Sequence, residues 1–142
     1  MSTTKVEELV RRYVAAVADL GVDEAEVAEL LDPELELVEH PNPISPTGSR
    51  TDRAGALAAL RAGRELLAEQ SFVITALMVD EDRVALQATW SGVTAHDRGP
   101  LAAGTRLMAE IGAFVTVRDG RILRHETYDC YLPPRSPAPE RR

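Results

Sequence analysis

Between residues 4 and 20 the apolar side chains Val6, Leu9, Val10, Tyr13, Val17 and Leu20 recur at intervals of three and four, the spacing that lines one face of a helix. Gly21 follows, and a glycine just past the last turn is a common helix stop. A second, shorter helix is predicted over 23–31. It opens on Asp23 and Glu24, whose charges suit the positive end of a helix dipole, and Asp32-Pro33 forces a turn after Leu31. The apolar period then falls to two. Leu35 and Leu37 alternate with charged neighbours, predicting a strand over 34–40. The stretch from Pro41 to Gly48 contains Pro41, Pro43 and Pro46, which remove backbone donors and make it a stiff loop.

A third helix is predicted over 52–69, with Thr51 as its N-cap and Leu57, Leu60 and Leu67 on its apolar side. Gly55 and Gly63 each weaken that helix by about 1 kcal/mol relative to alanine, a cost that a close approach of backbone to sheet would explain. From Ser71 onward the period is that of strands, near 71–79, 83–95, 105–118 and 121–131. Successive strands joined by short turns pair antiparallel. The expected fold is therefore α+β, a curved antiparallel sheet with three helices on one face enclosing a small-molecule pocket. One domain is expected over 1–132, with a Pro-rich flexible tail over 133–142.

Asp119-Gly120 between two strand patterns signals a two-residue hairpin. Pairing Arg118 with Arg121 and counting outward puts Val117, Val115, Ala113, Ile111 and Ala109 on one face with Ile122, Arg124, Glu126, Tyr128 and Cys130. That face is the more apolar and is expected to meet the helices. Arg124 and Glu126 are its exceptions, and a pocket would account for charges there. The opposite face pairs Phe114 with His125 and sets Glu110 against Asp129, two carboxylates roughly 5 Å apart. A bulge in either strand would exchange the two faces.

The chain has 142 residues, a net charge of −7 and one cysteine. The acidic balance argues against nucleic-acid partners and against a polybasic membrane anchor. No apolar run approaches the roughly 20 residues of a membrane span, and the N-terminus carries no signal-peptide core. Cys130 alone forms no internal disulfide and suits a reducing, cytoplasmic setting; with no activating partner in view it is expected in the core. His40, His96 and His125 are scattered without ligand spacing, so neither metal nor cofactor is expected. A phosphate-cradling loop and a nucleophile elbow are both missing.

The element order, with Val115-x-Val117-x-Asp119-Gly120-x-Ile122 leading into Tyr128-Asp129, resembles the nuclear transport factor 2-like superfamily and, within it, the SnoaL-like proteins of bacteria, over about residues 5–132. The resemblance implies a cone-shaped, cystatin-like α+β barrel and a homodimer formed through the outer face of the sheet. It implies a small apolar partner and a catalytic His and Asp around the last strand, here His125 and Asp129, although His125-Glu126-Thr127-Tyr128-Asp129 departs from the family's His-Trp-Asp type of pattern.

Four residues of strand separate His125 from Asp129 by roughly 13 Å, too far for a direct hydrogen bond. Glu126 in an apolar pocket is the better candidate for a general base; a salt bridge with Arg124 is its structural alternative. Tyr13 and Tyr128 are candidate donors to a ligand carbonyl, Trp90 a pocket wall, and His40 a rim residue. The expected activity is cofactor-independent acid–base chemistry on a small carbonyl compound: cyclisation, isomerisation or dehydration. Ligand binding without catalysis is the alternative, and epoxide hydrolysis a third.

Overall fold

The computed structural model describes residues 1–137; the part of the expected tail over 138–142 lies outside the described residues. Helix α1 spans Thr3–Ala18, capped by Ser2, whose hydroxyl accepts the Lys5 N–H at 3.2 Å. It stops short of residue 20 because the Asp19 carboxylate takes the Gly21 N–H at 2.8 Å, a local bond that competes with another helical turn. Helix α2 covers Glu24–Leu30 behind the Asp23 cap. Helix α3 runs Arg53–Leu66, and its cap is Asp52 rather than Thr51, accepting the Gly55 N–H at 2.9 Å.

The strands are β1 (Leu31–Glu39), β2 (Ser49–Thr51), β3 (Leu67–Asp80), β4 (Arg83–Thr94), β5 (Arg106–Arg118) and β6 (Arg121–Tyr131). β1 starts earlier than its alternation predicts and takes Pro33 into a stretch where its pairing with β6 is irregular, a place where a missing N–H is tolerated. β2 is a short, largely exposed edge strand that follows the proline-rich loop. That loop is held by Asn42, whose side chain accepts the Ile44 and Ser45 N–H groups at 2.9 Å and donates to the His40 carbonyl.

The order β2-β1-β6-β5-β4-β3 makes one curved, unclosed sheet. Neighbours are antiparallel except β1 and β6, which run parallel, so the sheet is mixed. All three helices lie on its concave face. Val6, Val10 and Val14 of α1 and Val27 and Leu30 of α2 pack there against Val84, Leu86, Ala113, Val115, Val117 and Ile122. At the closed end of the hairpin, Arg118 donates to Asp32 at 2.9 Å and to Glu34 at 2.7 Å, tying the start of β1 to the β5–β6 turn. The chain beyond β6 stays attached: Arg106 and Arg135 exchange two backbone hydrogen bonds of 2.9 Å. The tail expected to be flexible from residue 133 is thus held at Arg135.

The two glycines of α3 differ in purpose. A Cβ on Gly55 would overlap the Thr51 side chain of β2, whereas a Cβ on Gly63 would meet nothing within 4 Å beyond its own helix backbone and its two chain neighbours. Gly55→Ala should therefore destabilise by about 1–3 kcal/mol through overpacking, and Gly63→Ala should stabilise by up to about 1 kcal/mol through helix propensity. Thermal melts of the two variants check the opposite signs.

Candidate functional site

Arg118 opposes Arg121 and Val117 opposes Ile122, as the hairpin count predicts. Thr116 then opposes Arg124, which leaves Leu123 as an extra residue in β6. Beyond this bulge every side chain of β6 changes face. Val115 lies opposite His125, Ala113 opposite Thr127, and Ile111 opposite Asp129. His125, Thr127, Asp129 and Tyr131 therefore face the helices, while Arg124, Glu126, Tyr128 and Cys130 face outward, the reverse of the expected placement. The physical reason is the cost of burying charge: the bulge keeps Ile122 fully buried yet turns Arg124 and Glu126 to the outside. Glu110 now opposes Cys130 rather than Asp129, and it accepts the Thr89 hydroxyl at 3.1 Å, so the expected carboxylate pair does not form.

Inside the concave face lies a cavity of about 210 Å³ bounded by α1, α2, α3, β1 and β6. Its walls are apolar, among them Val17, Leu20, Val27, Leu37 and Leu60, and its polar lining is Tyr13, Arg64, Gln70 and His125. The Tyr13 hydroxyl meets His125 Nδ1 at 2.7 Å. Burial raises the Tyr13 pKa well above the ordinary tyrosine value, so the phenol keeps its proton, and toward the Nε2–H tautomer of His125 it is the donor to Nδ1. In that tautomer the ring proton sits on Nε2, which has no hydrogen-bond partner among the described residues. Burial also pushes the His125 pKa down to about 4, which keeps the imidazole neutral near pH 7. The site thus presents a neutral N–H donor.

Gln70 lines the same cavity but has its amide committed. It donates to the Ala18 carbonyl at 2.9 Å and accepts the Trp90 indole N–H at 2.9 Å. Trp90 faces inward as predicted, but it buttresses Gln70 and is not part of the cavity wall. Asp129 stands further along the same face, where Thr127 donates to it at 2.5 Å. Burial raises its carboxyl above the usual range and the Thr127 hydrogen bond pulls the other way. It does not line the cavity and makes no contact with His125.

The remaining candidates gather on the opposite side of the sheet. His40 Nε2 contacts Glu126 at 2.8 Å, Arg124 donates to Glu126 at 3.2 Å, and His40 stacks on Tyr128 with ring centres 4.0 Å apart. Hydrogen bonding from His40, with help from Arg124, holds the Glu126 carboxyl below its usual range, unlike a base raised by an apolar pocket. His40, Glu126 and Tyr128 therefore lie outside the cavity. Cys130 is exposed rather than in the core, for the same reason of parity. Arg64 was not singled out from the sequence, although it falls on the Leu57, Leu60, Leu67 stripe of α3. A wider, open cleft of about 810 Å³ lies between the start of α1 and the β3–β4 turn. It carries Asp80, Glu81, Asp82 and Asp119 at its edge and brings no buried polar groups together.

Because the folded pKa of His125 lies below its unfolded value, the unfolded chain binds the proton first as pH falls. The contribution is intact above about pH 6.5 and is lost on the way down to about pH 4. Between pH 7 and 4.5, wild type should lose on the order of 2 kcal/mol more stability than His125→Gln, measured by denaturant unfolding at each pH.

The SnoaL-like domain model matches residues 10–125. Among solved structures, AclR, a candidate hydroxylase from Streptomyces galilaeus, is 17% identical, with a TM-score of 0.74, covering 91% of this chain and 81% of its own. IdmH, a candidate polyketide cyclase from Streptomyces antibioticus, is 19% identical, with a TM-score of 0.71 and coverage of 87% and 91%. A candidate SnoaL-like polyketide cyclase from Jannaschia sp. CCS1 is 18% identical, with a TM-score of 0.72 and coverage of 89% and 86%. No curated protein matches. These likenesses establish the fold, and the match over residues 10–125 places the chain in the SnoaL-like domain family.

Proposed function

We propose that this protein binds a small, largely apolar carbonyl compound in the helix-lined cavity and promotes its enolisation without a cofactor, as a step of cyclase or isomerase chemistry. The observation that carries the reading is the Tyr13–His125 pair at 2.7 Å on the cavity wall. A neutral imidazole N–H beside the bound carbonyl stabilises the oxyanion that develops when that carbonyl enolises. The α-proton leaves to water, and the Nε2–H holds the enolate oxygen. The polyketide-cyclase descriptions of IdmH and the Jannaschia protein agree with this chemistry. Glu126 has no part in it. Asp129 lies too far along β6 to share the reacting atom with His125.

Binding without turnover is the second reading, and a specific observation favours it: no carboxylate is among the residues lining the cavity. The same observation removes support for epoxide hydrolysis, which needs two carboxylates converging on one water. As to partners, the outer face of the sheet exposes Met78 (71%), Phe114 (44%) and Tyr128 (43%). Met78, Ala85 and Phe114 occupy adjacent positions across three strands, an apolar row that a second copy of the chain would cover.

In D₂O, wild type should accelerate α-proton exchange of 2-indanone followed by proton NMR, and His125→Phe should lower that rate by about 10²-fold, as loss of an oxyanion donor does. Binding with no acceleration would favour the second reading, and absence of binding would reject both. In sedimentation velocity, wild type should run as a dimer and Phe114→Glu as a monomer; a monomeric wild type at about 100 μM would reject the outer-face dimer.

A further inference from the structure

Arg64 is the cation of the cavity wall, and it lacks an acid. Its Nε and Nη2 are buried with no hydrogen-bond partner among the described residues. Arg11, Arg50, Arg61, Arg118 and Arg124 each meet a carboxylate, in a chain whose acids outnumber its bases, 23 to 16. Arg12, Arg83, Arg98, Arg106, Arg121 and Arg135 meet none among the described residues, but they are exposed. Arg53 leaves only its Nε buried and unpaired and donates to the Ala28 carbonyl at 2.8 Å, so Arg64 alone keeps two buried guanidinium nitrogens without a partner. Leaving buried N–H groups of a charged side chain unpaired is costly, and nothing else in the wall can relieve it. Tyr13 is committed to His125, and the Gln70 amide is committed to Trp90 and to the end of α1. Two polar demands therefore remain open in an otherwise apolar cavity, the Arg64 guanidinium and the His125 Nε2–H. They differ in kind: one calls for an anion with two oxygens, the other for a neutral or developing acceptor.

We infer that the ligand of this cavity is an apolar monocarboxylic acid bearing a second oxygen, its carboxylate held by Arg64 and its carbonyl directed to His125. The inference rests on the cavity being the ligand site and deepens that reading by naming the substrate class. Arg64 selects and orients, and the reacting carbonyl remains with His125. The placement also explains why a charge stands on the apolar stripe of α3 between Leu60 and Leu67. Gly63 beside it leaves that part of the cavity open, since apart from its own helix backbone and its neighbours Ala62 and Arg64 no atom lies within 4 Å of where its Cβ would be.

The test compares 3-benzoylpropanoate, a keto acid, with 3-benzoylpropanamide, its uncharged match, by isothermal titration calorimetry on the full chain. Wild type should bind the acid at least roughly tenfold more tightly than the amide, the difference expected of a charge-assisted bidentate pair. Arg64→Gln should erase that preference while leaving the amide within about twofold, and Arg64→Lys, which keeps the charge without the planar fork, should retain part of it. His125→Phe should weaken both ligands alike. Arg64→Gln should melt no lower than wild type; a fall of several degrees in both Arg64 variants would mark Arg64 as structural and overturn the proposal. Equal binding of acid and amide to wild type would overturn the ligand class while leaving the cavity a ligand site. Failure of both probes to bind wild type at millimolar concentration would overturn the class and the site together.

Discussion

Leu123 is one residue more than β5 can match, and the interior of this protein is organised around that surplus. A strand presents alternate side chains to alternate faces, so Ile122, Arg124 and Glu126 would share a face in an unbroken ladder. Ile122 is fully buried and lies beside Leu31 of β1. Strict alternation would then carry a guanidinium and a carboxylate into the core beneath the helices, at a cost of several kcal/mol for each ion. The bulge avoids that cost. It also brings His125 inside, beside Leu37 of β1 and under Tyr13 of α1, and so creates the polar point of the cavity.

The rest of the site is built by fastening α1 and α3 over that face. The carbonyls at the end of α1 lack intrahelical partners, as at any helix C-terminus, and Gln70 of β3 supplies donors to Val17 and Ala18. Trp90 of β4 in turn holds the Gln70 oxygen, and Gly92 leaves room for the indole, since a Cβ there would come within 3.0 Å of its ring. At the other end of α3, Gly55 lets the helix start directly against Thr51 of β2. Between these two fixed ends the small residues Ala56, Ala59 and Gly63 line the cavity and leave it unfilled. Apolar walls, a neutral imidazole and an unpaired guanidinium are what remain facing the space.

The outer face follows the opposite logic. Charges turned away from the core find one another there: Glu36 with Arg50 and Arg124, and Glu126 with Arg124 and His40. His40 and Tyr128 stack, and Phe114 meets Tyr128 edge-on at 6.4 Å. These residue types are also common in active sites, which is why His40, Glu126 and Tyr128 are attractive candidates on composition alone. What separates the two sets is the side of one strand on which each lies.

Local patterning was enough for α1, α2, α3, the long strands and the Asp119-Gly120 turn, because helix and strand periods and turn chemistry are properties of neighbouring residues. The SnoaL-like family was legible for the same reason, in the order of those elements and the motif around the turn. The inward direction of Trp90 can be read from the chain as well, since Trp90 falls at every-second-residue spacing with Val84, Leu86 and Ala88. The parity of β6 was not, because a bulge is chosen by competition between whole faces of the sheet. Its trace, two charges falling on an otherwise apolar face, was visible without naming the residue that resolves it. Arg64 left a similar trace on the apolar stripe of α3. Its lack of a partner, the commitment of Gln70 and the pairing of Tyr13 with His125 across 112 residues exist only once the helices are laid on the sheet. Burial and long-range pairing are tertiary quantities, and they decide which of the polar residues have anything left to offer a ligand.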